Sequence, residues 1–81
     1  MNDTYFVANT QETEEGRSQS LFAYDTKNAA LGAYHSTLAS NYAAADAGTL
    51  KSFAVALLNL NLYSEKYESW SEPAPEPNEE A

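Results

Sequence analysis

The sequence has no cysteine, one histidine and only four basic residues, and its three prolines all lie beyond position 72. Without cysteine, disulfide bonds and thiolate metal sites are excluded. His35 alone is too few ligands for a histidine metal centre, and no glycine-rich phosphate loop occurs. No stretch approaches the roughly 18 consecutive apolar residues of a membrane span, and no basic segment opens the chain. These absences predict a cytoplasmic protein without metal, cofactor or membrane contact.

The charge is strongly acidic, with 12 acidic residues against four basic residues and a net charge of −8. Binding to nucleic-acid phosphates requires clustered lysine and arginine, which this sequence lacks. Anionic membranes are disfavoured for the same reason. The composition therefore predicts a protein partner and no direct binding of nucleic acid.

The 81 residues are enough for one small domain. Residues 71–81 contain every proline, several glutamates and no large apolar side chain. Proline blocks helix and ladder hydrogen bonds, and a segment with nothing apolar to bury stays disordered. The sequence predicts a single α+β domain over residues 1–70 and a disordered acidic tail over residues 71–81.

The first half of the chain changes its periodicity near Thr26. Thr4–Thr10 and Leu21–Thr26 are short and rich in aromatic and aliphatic residues, which favours two strands. The polar stretch between them, Gln11–Ser20, predicts a long, mobile hairpin loop. From Lys27 to about Asp46 the larger side chains recur with a period of about 3.6 residues, which predicts one amphipathic helix.

The predicted helix has a stripe of larger side chains, formed by Leu31, Tyr34, Leu38, Tyr42 and Ala45. Asp25 or Thr26 can accept hydrogen bonds at its first turn, and Gly48 can end it in the left-handed conformation. Gly32 lies inside the helix, where glycine costs about 1 kcal/mol relative to alanine. Its presence predicts that another group approaches the helix closely at this position.

The segment Leu50–Trp70 fits two interpretations. As a helix it would space Phe53, Leu57 and Leu60 at helical intervals, but its second half would place aromatic residues on most sides. As two strands, about 51–58 and 62–70, it alternates large and small side chains around an asparagine-rich turn. Two hairpins give the helix four strands to cover. The predicted fold is α+β, two β-hairpins flanking one amphipathic helix (ββαββ), with the helix on one face of an antiparallel sheet.

Three stretches, YFVANTQ, SLFAYDTKNAALGAYHSTLASN and LKSFAVALLN with the later YESW, resemble small uncharacterised acidic proteins of Firmicutes phages and integrative mobile elements. The resemblance spans about residues 4–70 and includes no catalytic motif. In those proteins the last hairpin usually turns on an asparagine–glycine pair, whereas this chain has NLNL. The resemblance implies a mobile-element protein and gives no activity to any residue.

Two groups of residues are candidates for an interaction. Residues 28–45 contain no charge, and the small side chains opposite Leu38 form a neutral helix face, namely Ala33, Ser36, Ser40 and Ala44. Glu12, Glu14 and Glu15 gather in the polar loop without the closing acid of a calcium loop. We therefore predict a non-enzymatic protein-interaction module that binds a protein partner or forms a homodimer. The alternative is a DNA-mimic inhibitor, of the anti-CRISPR or antirestriction type, whose carboxylates occupy the basic channel of a nucleic-acid-binding protein.

Overall fold

The computed structural model describes residues 4–72 as four strands and one helix. In chain order they are β1 (Tyr5–Thr13), β2 (Gly16–Tyr24), α1 (Lys27–Asp46), β3 (Ser52–Leu58) and β4 (Ser64–Ser71). The α+β fold predicted from the sequence is confirmed, including the choice of two strands for Leu50–Trp70. β4 continues through Ser71, the first residue of the predicted tail, and residues 73–81 lie outside the described range.

The four strands form one antiparallel sheet in the order β2-β1-β3-β4. β1 is therefore central: it pairs with β2 through a tight turn and with β3 across the connection that contains α1. Val7 of β1 lies opposite both Phe22 and Leu57. β2 and β4 are the two edge strands, and this order places the hydrophobic centre of the sheet on β1 and β3.

The long loop predicted for Gln11–Ser20 is wrong, because most of this polar stretch belongs to the first two strands. β1 runs to Thr13, β2 starts at Gly16, and only two residues connect them. Gly16 has a φ of 139°, which glycine adopts without a steric penalty, and the Glu15 N–H donates to Thr13 Oγ1 over 3.1 Å. The tight turn and the pairing of β1 with β3 therefore produce strands in a segment that has no hydrophobic alternation.

The predicted bounds of the helix are confirmed at Lys27 and Asp46. Thr26 Oγ1 accepts a hydrogen bond of 3.1 Å from the Ala29 N–H. At the other end Gly48 has a φ of 86°, and the Thr49 N–H donates to the Ala44 carbonyl oxygen over 3.0 Å. These bonds satisfy backbone groups that the ends of a helix leave unpaired.

The hydrophobic core lies between α1 and one face of the sheet. Its buried members are Val7, Ala30, Tyr34, Leu38, Leu50, Phe53, Val55 and Leu57. The stripe predicted for the helix is right at Tyr34 and Leu38 but wrong at Tyr42, which is exposed. The helix is rotated so that Asn41 takes the buried position instead.

Asn41 links the helix to the central strand through its side-chain amide. It is 1% exposed, its Oδ1 accepts from Gln11 Nε2 over 2.7 Å, and its Nδ2 donates to Asn9 Oδ1 over 2.9 Å. Asn9 and Gln11 are successive residues on the helix-facing side of β1. This polar ladder offsets the cost of burying an amide and fixes the helix against one position along the strand.

Gly32 is exposed on α1, and a methyl group added there would meet no described atom within 4 Å beyond the adjoining backbone of the helix itself. Within residues 4–72, therefore, no group makes the predicted close approach to this glycine. Gly32→Ala is expected to raise the free energy of unfolding by about 1 kcal/mol, because alanine loses less backbone entropy in a helix. Urea unfolding of the parent and the variant measures the difference. A destabilised variant would show that a neighbouring group occupies this position.

Candidate functional site

The helix covers only one face of the sheet. Residues opposite each other on antiparallel strands point to the same face, so the pairing identifies the members of the other face. We call this surface the open face: Phe6, Ala8, Thr10, Glu12, Arg17, Gln19, Leu21, Ala23, Ser52, Ala54, Ala56, Leu58, Tyr67, Ser69 and Ser71. Within residues 4–72 there is no second helix to cover it. A sheet of this size is normally polar on its solvent side.

Charge is nearly absent from the open face. Its charged side chains are Glu12 and Arg17, which are opposite in sign and lie opposite each other on β1 and β2. Ser52 Oγ also donates to Glu12 Oε1 over 3.0 Å. The end of the open face around Phe6 and Leu58 is apolar. The open face therefore has no net charge of its own.

Among residues 4–72 no strand pairs with the outer edge of β2, which is long and has large apolar side chains on both faces. Leu21 is 58% exposed on the open face, and Phe22 is 57% exposed on the helix-facing side. From Ser18 to Tyr24 the strand has no charge and no proline. Proteins usually protect a sheet edge with charge, proline or a bulge, and this stretch has none of these devices.

The opposite edge, β4, has two of those devices. Its sequence includes Glu65, Lys66 and Glu68, and its register shifts between Leu57 and Leu58 of β3. The two edges of one sheet thus differ, and of the two only β2 offers a regular stretch without charge, from Ser18 to Tyr24, for pairing.

The carboxylates of β4 also tie this edge to the helix. Lys27 Nζ lies 3.1 Å from Glu65 Oε1, and the Tyr42 hydroxyl donates to Glu68 Oε2. The bond with Lys27 holds the pKa of Glu65 below its usual value, and the bond with Glu68 raises the pKa of Tyr42. These contacts connect the outer strand to the helix.

Glu65→Gln tests the contribution of the pair with Lys27. A carboxylate whose pKa is lowered on folding stabilises the folded state above its unfolded pKa, and the effect disappears as the pH falls through the folded value. The melting temperature of the parent should therefore exceed that of the variant at neutral pH, with a gap that closes through the acidic range where glutamate titrates. Thermal unfolding over a pH series measures this gap, and a gap independent of pH would contradict the prediction.

The turn between β3 and β4 exposes three large apolar side chains, Leu60, Leu62 and Tyr63. Leu62 has a φ of 67°, a left-handed conformation that is unfavourable for leucine. Asn59 Oδ1 accepts from the Asn61 N–H over 2.9 Å and from the Tyr63 N–H over 3.1 Å. The asparagine side chain thus stabilises a turn that contains no glycine.

The four residues of the predicted neutral helix face do not share one environment. Ser36 and Ser40 are exposed, as predicted, whereas Ala33 and Ala44 are half-buried and pack against the core. The prediction that all four lie on the side away from the sheet is therefore wrong for the two alanines. They lie on the flanks of the buried stripe, because Ala30 and Asn41 shift the buried side of the helix. A role of this face in association stays a prediction.

The three predicted acidic residues are separated by the structure. Glu12 lies in β1 on the open face, whereas Glu14 and Glu15 form the exposed turn between β1 and β2. This turn borders a shallow depression that also includes Thr13, Gly48 and Thr49. Across residues 4–72 no three acidic or histidine side chains come together in a group that could hold a metal ion.

The described residues contain no helix that is long and apolar enough to cross a membrane. Comparison of the chain with protein-family models, with curated proteins and with solved structures found no match. The resemblance to mobile-element proteins therefore stays a prediction. The candidate functional site that remains is the edge of β2 together with the adjoining part of the open face.

Proposed function

We propose that this protein is a non-enzymatic interaction module, which binds a protein partner by adding an extended strand of that partner to the free edge of β2. The main support is the uncharged edge from Ser18 to Tyr24, with Leu21 and Phe22 exposed on opposite faces. An edge strand presents unpaired N–H and C=O groups, and a second strand satisfies them as a new ladder. The partner is a protein segment because only a peptide backbone supplies the matching groups.

The two apolar side chains give the incoming strand contacts on both sides of the sheet. Residues directly opposite on an antiparallel pair have their Cβ atoms about 4.5–5.5 Å apart, close enough to pack. Leu21 would contact the new strand on the open face and Phe22 on the helix-facing side. The proposed contact therefore combines backbone hydrogen bonds with burial of two side chains that are more than half exposed.

Leu21→Lys tests the proposal by placing a charge of the kind that protects natural edges. Leu21 is already 58% exposed, so the fold should tolerate lysine. Tyr67→Lys is the matched control, because Tyr67 is 62% exposed on the same open face but on the opposite edge. Circular dichroism would confirm that both variants are folded.

The immobilised protein would be incubated with a lysate of the cells that produce it, and the bound proteins identified by mass spectrometry. We expect Leu21→Lys to lose a protein that the parent and Tyr67→Lys both retain. Capture of the same proteins by all three would contradict strand addition at β2.

The DNA-mimic hypothesis remains the alternative, supported by the net charge of −8 and by the exposed Glu14 and Glu15. Several other carboxylates are bonded within the chain, for example Glu72 to Lys51 over 3.4 Å. A mimic needs free carboxylates at the spacing of phosphates, which makes this hypothesis the weaker one. It predicts capture of basic nucleic-acid-binding proteins that is lost in high salt and is unaffected by Leu21→Lys.

A further inference from the structure

We infer that the strand added to β2 is the β2 strand of a second copy, so that two sheets join across a two-fold axis into one eight-stranded sheet. This inference rests on the proposed function and names its partner. A two-fold axis perpendicular to the sheet makes two identical edge strands antiparallel, which is the common isologous arrangement of homodimers. A strand without charge from Ser18 to Tyr24 can lie beside its own copy without repulsion.

The charges at the two ends of β2 indicate the register of this pair. Arg17 lies at the start of the strand and Asp25 directly after its end, and both are exposed. Within one chain the two residues are about 26 Å apart, since a strand rises about 3.3 Å per residue, so they do not pair with each other. When the two-fold axis passes through Leu21, each Arg17 lies opposite Asp25 of the other copy.

The neighbouring registers lack this match. Paired residues share a face of the sheet, so the axis passes through a residue and not between two residues. An axis at Phe22 would bring Arg17 toward Lys27 of the second copy, a charge of the same sign. An axis at Ser20 would place Arg17 opposite Ala23. Only the axis at Leu21 gives two opposite-charge pairs, and it also brings the two Leu21 side chains together on the open face.

The second copy is favoured over an unrelated strand by this complementarity. The strand β2 and the residue that follows it contain both the apolar residues that would be buried and the two charges that would pair, Arg17 and Asp25. Both pairs would lie at the exposed rim of the contact, where charges set register and partner more than affinity. The association should therefore depend mainly on the ladder and on Leu21 and Phe22, and only weakly on salt.

The absence of native cysteine makes the register measurable. Two residues can form a disulfide when their Cα atoms are about 4.4–6.8 Å apart, and directly opposite residues of an antiparallel pair satisfy this limit. Leu21→Cys should therefore form a covalent dimer on mild oxidation. Gln19→Cys and Ala23→Cys should each stay monomeric alone, but should cross-link to each other when mixed.

Ser36→Cys is the control, because Ser36 is exposed on α1 and not on β2, so that its cross-linking reports chance collisions only. Cross-linking of Leu21→Cys no faster than Ser36→Cys would overturn the inference. Self-cross-linking of Gln19→Cys or Ala23→Cys alone would overturn the register. All variants share the open face or an exposed helix position, so each should keep the parent fold.

Sedimentation equilibrium over a concentration series separates this inference from the proposed function. We expect the parent to approach twice the monomer mass, Tyr67→Lys to do the same, and Leu21→Lys to remain monomeric. A parent that is monomeric throughout, with a captured protein that Leu21→Lys still loses, would refute the second copy and leave strand addition in place. Dimers unaffected by Leu21→Lys would refute β2 as the contact. A parent that is monomeric throughout, and whose captured proteins Leu21→Lys all retains, would refute both proposals.

Discussion

Leu57→Ala is expected to lower the free energy of unfolding by about 2–5 kcal/mol, which is the usual cost of truncating a buried leucine. Leu57 is 0% exposed, lies in β3 opposite Val7 of the central strand and faces the helix. A domain of this length has a thin stability margin, so much of the protein should be unfolded at ambient temperature. Leu38→Ala and Phe53→Ala remove other members of the same core and should act similarly.

Urea unfolding followed by circular dichroism measures the effect. Leu58→Ala is the matched control, since this leucine is adjacent in sequence but lies on the open face, where its truncation removes fewer contacts. The midpoint for Leu57→Ala should be far below that for Leu58→Ala. Equal midpoints for the two variants would mean that the helix does not cover the face assigned to it.

Asn41→Leu is expected to destabilise the protein by about 2–4 kcal/mol although leucine is the more hydrophobic residue. The change leaves the side-chain oxygen Asn9 Oδ1 and the side-chain nitrogen Gln11 Nε2 without their partner. An unsatisfied polar group at a buried site costs about 1–3 kcal/mol, and burial of the leucine offsets only part of that sum. The measurement is again the free energy of unfolding in urea.

The triple variant Asn9→Val, Gln11→Val and Asn41→Leu is the control for this explanation. Replacing all members of a polar network with apolar residues leaves nothing unsatisfied and can be nearly neutral. The triple variant should therefore recover most of the stability that Asn41→Leu loses. If Asn41→Leu is as stable as the parent, the ladder contributes little to the attachment of the helix.

The sequence predicted elements where local chemistry determines the structure. Thr26 and Gly48 mark the ends of α1 with side-chain and backbone preferences that act within a few residues. The alternation in Phe53, Val55 and Leu57 likewise identified β3. The ends of the helix needed no knowledge of partner elements, whereas the choice of a strand for β3 also rested on the four strands that two hairpins give the helix to cover.

The prediction failed where strand formation depends on distant residues. Gln11–Ser20 is polar. Its first part forms a strand because β3 pairs with it and because the Gln11 side chain donates a hydrogen bond to Asn41 of α1. Neither contact is visible in the local pattern. The edge of β2 was missed as a candidate site because its first half was assigned to the loop, and because the strand order that makes β2 an edge strand depends on pairing between distant segments.

The predicted helix face shows a second physical limit of pattern analysis. A wheel centred on Leu38 assigns Ala33 and Ala44 to the outer side, but the buried Asn41 and Ala30 rotate the true centre toward them. A polar residue in the buried stripe has no hydrophobic signature. Its position can be recognised only from the partners that it meets on the sheet.

The difference between the two edges of the sheet also limits how large an assembly of this chain can grow. A sheet with two unprotected edges can add copies without end and form a filament. Here the second edge, β4, has charged residues and an irregular register. In the proposed dimer the two β2 strands are paired, so both outer borders of the joined sheet would be β4 strands and growth would end at two copies. The charges on β4 would then keep a self-associating protein from aggregating.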